Sequence, residues 1–481
     1  MKRTGLILVL TAMHSWLFSQ NADDAVLYSW TPMGGTALSM AMGGATGAIG
    51  GDFTSASINP AGLGLYRQSE WGISAGLAIA SVKSNYLGSG DDDRKVNFNI
   101  PNFHLVAYSP NANRLKTQGW LSTTFSVGYN KQANLCEIIR FSGSNAQNSM
   151  VNAFIEEAGN SPSGSLNPFG ADLAYQAFLI DPQTDSSGYT SLYGPLNGGV
   201  YQAGIIERRG RIGETSFSFA GNYSNRFYVG AGLAIRRIVM ESNYSYTEEN
   251  ASDSLPGFNS FTYSVDRTDR GTSVAFRAGI IARVIDNIRV GASVVLPLDY
   301  RINTTSTHRI ENDLTIGYYE HAVDNEYNFR LRQGARFTGS VAGVYGKKAL
   351  LSLDFDLVNY TKIRMLDEAQ SFEGENDAIR EGLRMVANIR VGGELRFNEL
   401  YARGGLQING SPYREDIFGK DRLIPSLGFG FRENDYFFDV SYSLQISNGR
   451  YQPYSLMNGS QPVATYNQLQ SLIVFSIGTR F

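Results

Sequence analysis

The chain has 481 residues, with 41 Lys and Arg against 44 Asp and Glu, and a formal net charge of −3. That balance excludes a nucleic-acid-binding protein built on a strongly basic face, and 14 prolines are too few for a Pro-rich disordered chain. A single cysteine, Cys136, excludes an intramolecular disulfide framework and a multi-cysteine metal site, whereas 27 Tyr, 27 Phe and 52 Gly suit a membrane barrel with aromatic girdles and closely packed strands.

Residues 1–20 read as a secretory leader. Lys2 and Arg3 form its positive end, Leu6-Ile7-Leu8-Val9-Leu10 opens its apolar core, and Ser19 or Gln20 lies near a plausible cleavage point. His14 and the short apolar length argue against a membrane anchor. No later segment offers about 18 consecutive apolar residues, so no helical span is expected. Export without a helical span leaves a periplasmic protein, a secreted protein or a barrel.

Residues 21–69 are rich in Gly, Ala, Ser and Met and too few for an independent domain. They are expected to plug a barrel from within. Gly43 and Gly44 permit close backbone packing. Asn59-Pro60-Ala61-Gly62 predicts a turn, because Pro fixes φ and the Asn side chain can bond the local backbone. As a phosphate loop the stretch fails, since it lacks GxxxxGK[ST].

From residue 70 onward the pattern is period two, which predicts strands. Phe227, Val229, Ala231, Leu233 and Ile235 share one face; Tyr228, Gly230, Gly232, Ala234 and Arg236 share the other. Similar alternation runs through 274–283, 288–296, 351–357, 389–396 and 436–445. One face is apolar and the other carries charge and glycine, as expected for lipid outside and a wet or plugged lumen inside. Pro101 removes a ladder donor within Asn97–Phe103, and marks either an ordinary bend or a gap between strands. Asp91-Asp92-Asp93 is placed in the first outer loop.

Tight connections (224–226, 286–287, 346–347, 398–399, 433–435) alternate with long polar excursions at 133–212, 248–260, 303–325, 364–383, 411–422 and 449–464. The longest excursion is given a helix at Ala146–Ala158. Short turns at one end and long loops at the other predict a barrel of about fourteen strands over 70–481. Arg330, Arg332 and Arg336 are assigned to one face of Tyr327–Tyr345, opposite Phe329, Leu331 and Phe337. Two readings of that cluster stay open: a site for a carboxylate head group, or a salt-bridge network with Asp354 and Asp356. The final strand, Ser471–Phe481, alternates and ends on an aromatic residue. It is predicted to pair with the strand near Trp71–Val82 and close the wall.

The run from Ala41-Met42-Gly43-Gly44-Ala45 through Asn59-Pro60-Ala61-Gly62-Leu63, after a leader and before a barrel, resembles the amino-terminal hatch of the FadL-type outer-membrane transporters, in their Bacteroidetes-like versions. The resemblance implies a fourteen-stranded outer-membrane barrel plugged by a short hatch. It also implies passive uptake of hydrophobic small molecules, such as long-chain fatty acids or aromatic hydrocarbons, with lateral exit through a wall gap beside a strand kink. Two departures stand out: the longest excursion follows the third strand, and Pro101 lies on the second.

No enzyme is expected. Of the histidines, only His104, His308 and His321 lie past the leader, and none has a GxSxG or HExxH context. No cofactor or metal is expected. The expected partners are a hydrophobic substrate, outer-membrane lipid and lipopolysaccharide, and the barrel-assembly machinery through Phe481; nucleic acid is not among them, and the barrel is expected to be monomeric. A structural or adhesive barrel and a general porin remain as alternatives, with haem uptake a weaker one.

Overall fold

A computed structural model describes the chain except for residues 1–21, 30–33, 114–116, 185–187, 192–198, 251–254, 347, 368–370, 416–420 and 458–460. The leader and its cleavage point lie outside the described residues. Eighteen hydrogen-bonded strand pieces form one sheet, and four of them continue a neighbouring piece, leaving fourteen staves. These are β1 (Glu70–Tyr86), β2 (Ser89–Pro110), β3 (Trp120–Asn134, continued by Glu137–Asn145), β4 (Val200–Tyr223) and β5 (Phe227–Asn250). Next come β6 (Phe258–Ile285), β7 (Ile288–Val295, continued by Asp299–Leu314), β8 (Gly317–Arg332, continued by Arg336–Tyr345) and β9 (Ala349–Asn359, continued by Arg364–Leu366). The ring ends with β10 (Met385–Phe397), β11 (Leu400–Asn409), β12 (Arg422–Glu433), β13 (Tyr436–Tyr451) and β14 (Ala464–Arg480).

Neighbours pair antiparallel, and the last stave returns to the first from Glu70↔Arg480 to Asn85↔Thr465. Ser69 and Phe481 exchange two backbone hydrogen bonds of 3.0 Å at that seam. This closure pairs the first and last staves, so neither end of the sheet is left as a free edge, as an apolar surround demands because an unpaired backbone group there has no water to bond. Phe475 and Ile477 point outward, whereas Val474 and Ser476 are buried.

Three staves are far longer than an apolar band requires. β4, β5 and β6 have 24, 24 and 28 residues. At ~3.3 Å per residue and a tilt of ~40°, the longest climbs about 70 Å against a band of about 25 Å. Several expected excursions are therefore strand. At 303–325, β7 and β8 continue upward and meet at Leu314↔Gly317. At 248–260, β5 runs to Asn250 and β6 begins at Phe258. The stretch 133–212 is strand at both ends, and Asp91–Asp93 lie within β2, after a turn at Leu87-Gly88. Polarity misled the sequence reading, since strands standing in water can be polar on their outer face.

Between β3 and β4, a helix at Met150–Ala158 starts later than expected because Ser149 caps it and Asn152 completes a capping box. Its Phe154 joins Ile139, Tyr246, Tyr263, Leu314 and Tyr454 in one apolar core across the outer end of the barrel.

The expected faces hold on β5, β6, β9 and β10. They fail on β8. Phe329 and Leu331 are buried inside, while Arg330 and Arg332 are exposed outside. The interruption at Gln333-Gly334-Ala335 shifts the alternation by one residue, so Phe337 below it also faces out. A one-residue slip exchanges the two faces of a strand.

Candidate functional site

Residues 34–66 lie inside the ring, because they bond to walls on several sides of it. Ala37 N donates to Ser476 Oγ on β14 (2.8 Å), and Gly47 N to Asp354 Oδ2 on β9 (2.9 Å). Ser426 Oγ on β12 donates to Ala41 O (3.1 Å), and Ser293 Oγ on β7 to Ile58 O (2.8 Å). Ser57 Oγ donates to Glu214 Oε1 on β4 (2.9 Å). No position outside the barrel reaches all five staves.

The predicted turn forms. Asn59 caps a 3-10 helix at Pro60–Leu65, with its Oδ1 accepting from Ala61 N at 3.2 Å. Its Nδ2 donates to Gly47 O (2.8 Å) and to Ile280 O of β6 (3.3 Å). One buried side chain thus fixes the turn, ties together two parts of the interior segment and anchors both to the wall. Gly43 has φ +62°, a left-handed value that favours glycine. Facing it, Gly405 leaves room for the chain: a Cβ there would lie 2.2 Å from Gly43 N. Gly230 and Gly279 make the same room for Pro60 and Asn59. The glycines of the inner wall face are therefore docking positions for the interior segment.

Asp52 organises the start of the segment. Its Oδ2 accepts from Thr36 Oγ1 (2.7 Å) and its Oδ1 from Thr54 N (2.9 Å). Burial pushes this carboxyl above its ordinary value, against the pull of those hydrogen bonds.

The charged inner-wall residues pair with one another. Glu214 holds Arg236 (2.7 Å) and Arg277 (2.8 Å). Arg390 holds Asp356 (2.9 Å) and Asp354 (3.5 Å). Arg403 joins Glu394 (2.7 Å) to Asp439 (2.6 Å). Charges taken out of water need such partners. Asp354 and Asp356 thus sit in a salt-bridge network, but its arginine is Arg390 and not the expected cluster of Arg330, Arg332 and Arg336. Arg330 and Arg332 take no part, because both bond Asp299 on the outer surface. Arg336 alone of the three turns inward, lining a small cavity with Arg236, Thr338 and Tyr360.

Pro101 stands where the wall comes apart. The β2–β3 ladder runs from Pro110↔Ser122 to Asn102↔Asn130 and stops there. β2 is bulged against β1 between Ser74 and Gly76, opposite Pro101, and β3 is bulged against β4 at Gln132. Residues Asn130 to Ala133 are all buried, so both faces of β3 are covered by protein at this height. Above the break, side chains alone bridge the two sides: Arg140 to Asp93 (3.1 Å), Ser142 to Asp91 (2.9 Å) and Lys95 to Glu207 (2.9 Å). A cavity of about 80 Å³ lies just inside, between Gly34, Gly35 and Met40 of the interior segment and Pro101, Lys131 and Gln132 of the wall. Outside it, Val96, Phe98 and Ile100 are exposed, Phe98 by 71%.

The sequence reading missed Asn102, Asn130, Lys131 and Gln132. Their signal was the run Asn130-Lys131-Gln132, three polar residues in succession that break the alternation of a lipid-facing strand.

No protein-family model and no curated protein matches the sequence. Solved structures do resemble the fold. A FadL homologue from Pseudomonas aeruginosa is 12% identical, with TM-score 0.59, over 94% of this chain and 99% of that one. The toluene transporter TodX of P. putida is 12% identical, with TM-score 0.53 and the same coverage. The toluene transporter TbuX of Ralstonia pickettii is 15% identical, with TM-score 0.52, over 94% and 99%. With a closed barrel of fourteen staves and an interior amino-terminal segment, the chain has the fold of the FadL-type outer-membrane transporters.

Proposed function

We propose that this barrel sits in an outer membrane and takes up hydrophobic small molecules, with residues 34–69 as its hatch and the break beside Pro101 as a lateral exit. One observation carries the reading: an interior cavity bounded by the hatch lies against the point where the β2–β3 ladder ends. Apolar side chains wait outside that point, so a greasy solute leaving there meets apolar surface instead of water. The names of the similar structures, toluene transporters among them, point the same way. The general-porin alternative finds little support in a lumen occupied by the hatch and by paired charges. Transport here would be passive and would involve no catalysis.

Extraction of the purified protein followed by mass spectrometry is expected to recover an apolar ligand. Cells lacking the chain are expected to take up fatty acid or aromatic hydrocarbon more slowly. No ligand, together with unchanged uptake, overturns the proposal.

A further inference from the structure

The outer surface carries a charge pattern that transport does not use. On β5, the outward side chains run Phe227, Val229, Ala231, Leu233, Ile235 and then Arg237. On β6, Val274 is followed upward by Thr272 and Arg270, and on β7 Leu296 by Asp299 and Arg301. On β8, Phe337 is followed by Arg332 and Arg330. The strand register puts these residues in one row across four staves: Arg237 pairs with Thr272, Thr272 with Arg301, and Arg301 with Arg330; at ~40° of tilt the row covers about 9 Å of height. Arg270 sits one rung higher, between Val239 and Asn303.

The height of this belt follows from strand geometry. Some ten residues separate Phe227, beside the tight turn, from Arg237; at ~3.3 Å each and ~40° of tilt they climb about 25 Å, the height of an apolar band. The belt therefore meets the boundary of the band at Arg237 and extends through the zone next to it, away from the tight turns and chain termini, on the side of the long loops. That is the level of outer-leaflet head groups.

The belt is also net positive. Asp299 serves both Arg330 (Nε, 3.2 Å) and Arg332 (Nη2, 3.3 Å), and both guanidinium side chains are still 50% exposed. Arg237, Arg270 and Arg301 are exposed as well. From β5 to β8 the row spans three strand spacings, about 14 Å. The tier above is different: Glu241, Asp266, Asp324 and Glu326, with Thr305 and Thr307, line a groove of about 640 Å³. Carboxylates and hydroxyls at that level suit sugar hydroxyl donors, while the planar guanidinium forks below suit phosphate.

We propose that the β5–β8 face is a binding site for a phosphorylated glycolipid of the outer leaflet, with its phosphates on Arg237, Arg301, Arg330 and Arg332 and its sugars against the acidic groove. The acyl chains then lie along Ile235, Val274 and Phe337. Arg330 and Arg332, read from the sequence as facing the lumen, hold a lipid outside it.

The test titrates the intact, detergent-solubilised barrel with lipid A, a phosphorylated glucosamine disaccharide lipid, and with its enzymatically dephosphorylated form. The wild type is expected to bind the phosphorylated form more tightly, and high salt to erase the difference. The combined variant Arg237→Gln, Arg301→Gln and Arg330→Gln is expected to lose on the order of a hundredfold for the phosphorylated form and little for the other. Equal binding of the two lipids by the wild type, or an unchanged combined variant, overturns the proposal. So does displacement of lipid A by equimolar inorganic phosphate, which would assign the belt to free phosphate. Heat-modifiable gel mobility reports whether the variant barrel has closed. If it has not, the single variant Arg301→Gln is read instead, with an expected loss of about fivefold; no loss there also overturns the proposal.

Discussion

Asn102 and Asn130 face each other on the last rung of the β2–β3 ladder, and Asn102 Nδ2 donates to Asn130 Oδ1 at 2.6 Å. Asn130 Nδ2 in turn donates to Ser57 Oγ of the interior segment at 2.8 Å. Asn102 Oδ1 lies 2.7 Å from His104 Nδ1, and the His104 ring stacks on Phe53 of the same segment with centroids 4.8 Å apart. The foot of the wall break is thus tied twice to the interior segment. Any movement of that segment must pull on the place where the wall parts.

Removing that tie is expected to loosen the break. Asn130→Ala removes one acceptor of Asn102 Nδ2 and the donor to Ser57 Oγ, leaving Asn102 with Tyr129 O and Ser57 with Glu214, at a cost of about 1–2 kcal/mol. Backbone amides from Phe103 to Val106 are expected to exchange faster with deuterium, while the β1–β14 seam keeps its protection. Equal protection at both places argues against a latch.

The glycine faces are expected to control hatch seating. Gly405→Val puts side-chain atoms where Gly43 N and the Met42 carbonyl carbon now lie, 2.2 and 2.3 Å from an added Cβ. Backbone cannot yield as a flexible side chain would, so the hatch is expected to shift and ion conductance in planar bilayers to rise. Gly339→Ala on the outer face, with nothing within 4 Å, is expected to leave conductance unchanged.

The arginines are expected to separate. Arg336→Ala, on the inner wall, is expected to weaken uptake of a fatty acid while sparing a neutral aromatic hydrocarbon. Arg330→Ala is expected to affect neither, because its side chain bonds Asp299 outside the lumen. Competition between labelled fatty acid and toluene for uptake measures both.

Asp52 gives the hatch a pH dependence of defined sign. Burial raises its pKa above the ordinary carboxylate value, so the folded state holds its proton more strongly than the unfolded chain does. The charged form therefore costs stability above the folded pKa. That cost is relieved as pH falls through the folded value toward the ordinary carboxylate value of about 4. Protection of the hatch from added protease is expected to increase over that interval, and Asp52→Asn is expected to flatten the change.

Much of this was written locally. Residue alternation predicted the strands and most of their faces, and the succession of tight and long connections predicted their number and the pairing of the last with the first, because a strand in a closed wall has one fixed partner on each side and one face toward lipid. Asn59-Pro60 fixed its own turn, since a capping amide and a ring-locked φ act within a few residues. The extent of the staves was not legible, because polar strands above the membrane read as loops. Nor was the phase on β8, where three residues at 333–335 exchange the two faces and carry Arg330 and Arg332 from the lumen to the exterior. Only the tertiary structure decided that the ladder beside Pro101 ends at Asn102↔Asn130, that the cavity lies there, and that inner glycines on distant strands receive the interior segment. Those facts depend on which strands meet at which height, and register is a property of pairs of strands that neither one carries alone.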